Sequence, residues 1–160
     1  MGKFQEALYE DLSLYVRQLA WLNTSPERAK IDDSTGLLVK RLSRLDQFRR
    51  TNGEDAQPPL PPIMGDAYFF IERLFEVGPI VTAGFGATVI THAEIQAWQH
   101  NVGLRLQPLE VKLLRRLSLD YLVELNDSDE RSNAPAPWQS PNKVMIVSSM
   151  KHFLRELSKL

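Results

Sequence analysis

The stretch TNGEDAQPPLPP, residues 51–62, constrains this chain more than any other. Each of its four prolines fixes φ and lacks a backbone donor, and each biases the residue before it toward extended backbone. Neither a helix nor a central strand survives such a run. The chain is therefore divided into an N-terminal part, a Pro-rich connector over 51–64 and a longer C-terminal part. PPLPP could serve a partner as a polyproline ligand, but a rigid spacer is the simpler reading.

Before the connector, helical spacing dominates. Phe4, Leu8, Leu12, Tyr15, Leu19 and Leu22 fall in a narrow arc at about 100° per residue, which predicts an amphipathic helix over 3–23. NTSPER then breaks it. Leu37, Leu38, Leu42, Leu45 and Phe48 suggest a second helix, with Ser34 or Thr35 as its cap. Lys40, Arg41, Arg44, Arg49 and Arg50 read as a solvated basic face. Residues 1–50 thus form an N-terminal helical segment.

After the connector comes a central helical domain, 65–126. Tyr68, Phe69, Ile71, Leu74 and Phe75 predict a short aromatic helix, stopped by Gly78 and Pro79. PIVTAGFGATVI mixes glycine with β-branched residues, so it is either a loop or one short β-hairpin near 79–90. Its AGFGA lacks the Lys-Ser/Thr ending of a phosphate loop and the spacing of a dinucleotide site. Thr91 stands three residues before Glu94, a capping-box spacing. Ile95, Trp98 and Val102 line one face of the helix that follows, and Gly103 suits the left-handed position at its end. Pro108 then takes the first position of another helix and Glu110 its third. Glu110 reads as a cap, with a buried orienting contact as the alternative. Leu109, Leu113, Leu114, Leu117, Tyr121, Leu122 and Leu125 leave only the side of Lys112, Arg115 and Arg116 clearly polar, so that helix packs against several partners. Residues 127–142 read as a flexible linker that isolates Trp138. Residues 143–160 read as a C-terminal amphipathic helix carrying four basic residues against one acidic. The fold class is mainly α: a small helical domain with amphipathic N- and C-terminal helices.

The remaining totals exclude more than they assert. With 43% hydrophobic and 24% charged residues the chain reads as soluble and globular. A net charge of −1 gives no basic field for nucleic acid. There is no cysteine, hence no thiolate ligand, disulfide or cysteine nucleophile. No apolar run nears the roughly 20 residues of a membrane span, and acidic residues interrupt the apolar pattern at the N-terminus, unlike a secretory signal. His92 and His100 lie two helical turns apart, too far to share an ion comfortably, and no GxSxG or HExxH occurs. No catalytic residue, cofactor or metal is expected, and the chain reads as a non-enzyme.

What remains is binding. Trp98 is either a core residue pinning its helix or an interface anchor. Trp138, in a linker, either docks back or serves a partner.

The order of elements is informative where single motifs are not. RLDQFRRTNGEDAQPPLPPIMGDAYFFIERLFEVGP, followed by GFGATVITHAEIQAWQHNVGLRLQPLEVKLLRRLSLDYL, resembles the tail assembly chaperones of long-tailed bacteriophages and prophages, over about residues 40 to 125. The resemblance implies a non-catalytic helper in the cytoplasm of the infected bacterial host. It would bind the phage tape-measure protein, keep its apolar helices soluble, assist the tail-tube protein in polymerising, and be absent from the mature virion. Amphipathic ends suit a helix-in-groove mode, and the partner-binding candidates are Phe4, Leu8, Leu12, Trp98, Trp138, Phe153 and Leu157. Self-association stays open, and neither nucleic acid nor membrane is expected as a partner. One competing reading is a structural virion protein of the tail, a completion or connector component. Another is a DNA-binding regulator, disfavoured because the would-be reading helix is apolar nearly all round.

Overall fold

The computed structural model describes residues 3–26, 31–32, 34, 36–37, 41–63, 65–84, 86–130 and 135–141. The expected C-terminal helix over 143–160, with Phe153 and Leu157, lies outside the described residues. Five helices and a hairpin make up the rest: α1 (Lys3–Asn23), α2 (Arg44–Asn52), α3 (Tyr68–Val77), β1 (Val81–Ala83), β2 (Gly86–Thr88), α4 (His92–Val102) and α5 (Pro108–Glu130). A single 3-10 turn at Gly65–Ala67 leads into α3. The mainly helical class with one short hairpin is the observed one; β1 and β2 pair antiparallel with Thr82 opposite Ala87.

The long helices α1 and α5 carry the fold. They run side by side in the same direction: Tyr9 meets Asp120, Arg17 meets Glu124, and Asn23 lies in one surface hollow with Asp129. Leu12, Val16 and Ala20 of α1 are fully buried with Leu114 and Leu117 of α5. The aromatic helix α3 closes the third side with Phe70, Ile71 and Leu74, while α4 adds Ile95. α1 therefore shares one core with α3, α4 and α5. The connector joins it too: Pro58 and Pro61 are buried, and Leu60 and Ile63 pack against the cluster.

Local chemistry explains most ends. The capping box at α4 is formed, with Glu94 N–H donating to Thr91 Oγ1 at 3.3 Å and Thr91 N–H donating to Glu94 Oε2 at 2.7 Å. Gly103 closes α4 at φ 70°, in the left-handed region that costs a side chain steric strain. Glu110 caps α5 as expected, accepting from Gln107 N–H at 2.6 Å, and it also pairs with Arg73 of α3 at 3.7 Å.

Three expectations are corrected. The second helix does not begin after Ser34. Asp32 accepts from Ser34 N–H at 2.8 Å, and Gly36 sits at φ 66°, so this stretch turns instead of coiling. Leu37 is 68% exposed, and Thr35 and Leu38 lie outside the described residues. The helix starts at Arg44, where Ser43 and Asp46 form the capping box. Arg44 is not on a solvated face: it is only 8% exposed, stacks over Trp21 at 4.7 Å and donates to Trp21 O and Thr24 Oγ1. Burial lowers its pKa. Finally, α5 outruns its expected end at 126, because Ser128 donates to Glu124 Oε1 at 3.1 Å and Arg41 reaches Asp129 at 3.2 Å. The intrahelical Ser128 bond and the tertiary contact from Arg41 hold a polar turn helical where its composition reads as linker.

Ser118 is the polar exception inside α5. It is fully buried, accepts from Ile90 N–H at 3.0 Å and donates to Pro79 O at 2.7 Å. Both ends of the hairpin segment are thereby tied to one hydroxyl, satisfying two backbone groups that burial would otherwise leave unpaired.

Candidate functional site

Toward the N-terminal ends of α1 and α5 an apolar cleft of about 290 Å³ opens between them and α3. Its walls are Leu8, Tyr9, Phe70, Leu109 and Leu113. Glu110, Lys112 and Arg116 form its rim. The cleft exists because α5 presents apolar residues on more sides than the core can cover. Leu114 and Leu117 are fully buried, while Leu109 remains 47% exposed. Such a volume sits at or below the roughly 300–1,000 Å³ of small-molecule sites, which suits a side-chain anchor better than a cofactor.

The rim is ordered by its own contacts. Tyr9 donates its hydroxyl to Asp120 Oδ2 at 2.6 Å, and the Arg116 guanidinium lies over the Tyr9 ring at 3.7 Å from its centroid. Burial, then the hydrogen bond to Asp120, raises the Tyr9 pKa, so the phenol is neutral at ordinary pH. Arg73 stacks over Phe69 at 4.5 Å while pairing with Glu110. Tyr15, deeper on α1, is pushed up to about 12 by burial and by its hydrogen bond with Tyr68. Nothing in this cleft sets a nucleophile against a base. Among the described residues no cluster of His, Asp or Glu could hold a metal ion, and no helix is long and apolar enough to cross a membrane.

The sequence-derived candidates separate sharply. Leu8 lines the cleft. Leu12 is fully buried in the core and offers no surface to a partner. Phe4 lies in the first turn of α1. Trp98 is 9% exposed and sits on α4, away from the residues that line the cleft; its ring N–H has no partner among the described residues. Trp138 docks back: its N–H donates to Gln18 Oε1 at 3.0 Å, and the residue is half-buried against α1. His92 binds Arg115 at 2.9 Å rather than approaching His100 for a shared ion. Tyr9, Phe70, Leu109 and Leu113 were not singled out as binding residues from sequence. The available signal was the near-complete apolar circumference of α5, which exceeds what one core can bury.

Compared with protein-family models, curated proteins and solved structures, the chain finds no match.

Proposed function

We propose that this chain is a non-catalytic binding module that shelters an apolar helical segment of a partner, in the role of a long-tailed phage tail assembly chaperone acting on the tape-measure protein. The observation that carries the binding reading is the open apolar cleft between α1, α3 and α5, with Leu109 at its mouth. An amphipathic helix laid along α5 would seat an apolar side chain there, the helix-in-groove mode of recognition. The phage role rests on the resemblance of residues 40 to 125 in order and spacing. In that role the protein works in the host cytoplasm during assembly, assists the tail-tube protein, and leaves before the virion is complete.

Co-expression with the tape-measure protein of the same genome, affinity capture, and mass spectrometry of mature particles test this. Capture of the tape measure together with absence from particles is the expected result. Presence in particles without capture would instead make the chain a structural tail component, the second reading.

A further inference from the structure

From the cleft an exposed stripe runs on along α5. Leu109, Lys112, Arg116, Leu119 and Val123 follow one another by alternating three- and four-residue steps, which places them on a single stripe of α5. The apolar members are 47%, 47% and 50% exposed, and Lys112 and Arg116 are exposed between them. No element among the described residues covers this stripe.

Charge decides what fits it. Around the cleft Glu110 is balanced by Arg73, while Asp120 accepts from the neutral Tyr9 hydroxyl and keeps its charge beside the stripe. Glu6 and Glu10 are exposed on α1 but do not line the cleft. Among the described residues neither Lys112 nor Arg116 makes an ion pair. The stripe itself carries Lys112 and Arg116 and no carboxylate, so its own charge is positive. From this we infer that the occupant is an amphipathic helix of another protein whose apolar edge is flanked by carboxylates four residues apart. The inference rests on the cleft being a protein-binding site, as proposed above, and adds the chemistry of the partner.

The same charge argument disfavours the two internal occupants. Residues 143–160 of this chain carry four basic residues against one acidic, the sign of the stripe itself. A second copy laid α5 against α5 in opposite directions brings Arg116 near its own equivalent, and like charges face to face oppose docking.

The test uses the full chain and synthetic peptides. One peptide is an amphipathic helix with leucine and phenylalanine along one edge and glutamates four residues apart beside it; its twin carries lysines in place of the glutamates. Fluorescence anisotropy at low salt is expected to show about tenfold tighter binding of the glutamate peptide, from rim charge pairs of modest individual worth. The preference should shrink as salt rises. Lys112→Glu with Arg116→Glu should reverse it. Lys112→Glu alone, which disturbs no contact with Tyr9, should weaken it with the melting temperature unchanged. Equal binding, a preference for lysine, no binding of either peptide, or a preference untouched by the substitutions would overturn the inference. So would binding of a 143–160 peptide as tight as that of the glutamate peptide, or a dimer in sedimentation that these substitutions dissociate. Tape-measure capture without the charge preference would retain the proposed function and remove this inference. The charge preference without capture would do the reverse.

Discussion

The two ends of the α1–α5 pair are built from the same helices and behave differently. At the C-terminal end polar bonds close the seam: Arg17 pairs with Glu124 at 2.9 Å, Asn23 donates to the Tyr121 hydroxyl at 3.0 Å, and Arg44 stacks on Trp21. At the N-terminal end Tyr9 still bonds Asp120, but Leu8, Leu109 and Leu113 line an open apolar cleft. The closed end is knit by polar bonds, although Arg44 Nη2 is buried there with no partner among the described residues. The open end leaves apolar surface in water, which a helical protein tolerates best where something binds. On the function proposed above, stability and recognition would fall to opposite ends of one helix pair.

Substitutions along the pair can break that division. The largest effect belongs at its centre, which both ends share. Leu12→Ala removes a fully buried side chain between α1 and α5 and should cost about 2–5 kcal/mol in denaturant unfolding. At the closed end, Arg17→Ala leaves the buried Glu124 carboxylate with only Ser128 as its remaining side-chain donor among the described residues, and should cost about 1–3 kcal/mol in the same measurement. A cost near zero would mean that this end is not held by its polar bonds.

Alkaline pH gives a finer probe of the centre. Tyr15 has a folded pKa raised to about 12 against an ordinary value of 10.0. A raised acid binds its proton more tightly when folded. Its contribution is therefore fully present below pH 10 and lost as pH climbs toward 12. Melting temperature should fall across that window, and Tyr15→Phe should flatten the fall. The smallest stability effect belongs at the open end. Leu109→Glu should change stability by no more than about 0.5 kcal/mol while abolishing partner capture. Destabilisation comparable to that of Leu12→Ala would place Leu109 in the core rather than in a site.

The division also governs what could be read from sequence. α4 was legible to the residue, because Thr91, Glu94 and Gly103 act within a turn of one another. α1 was legible because one face repeats. The start of α2 was not: Ser34, Thr35 and Ser43 offer similar caps, and the turn made by Asp32 and Gly36 decides between them. Arg44 could not be placed from its neighbours, since the ring that receives it belongs to Trp21 on another element. Leu8 drew notice through its amphipathic stripe and lines the cleft, while Leu12 on the same stripe is buried. Period alone assigns a face; which turn of that face is covered depends on what packs on it. Trp98 and Trp138 drew notice as tryptophans, yet one is packed and the other docks its backbone on Gln18.

Hydrogen exchange on the complex with the captured tape-measure protein tests the central claim most directly. Binding at the open end and along the stripe should add protection over residues 6–10 and 108–123, with residues 124–129 unchanged. Protection concentrated at 124–129, or none anywhere along α1 and α5, would contradict it.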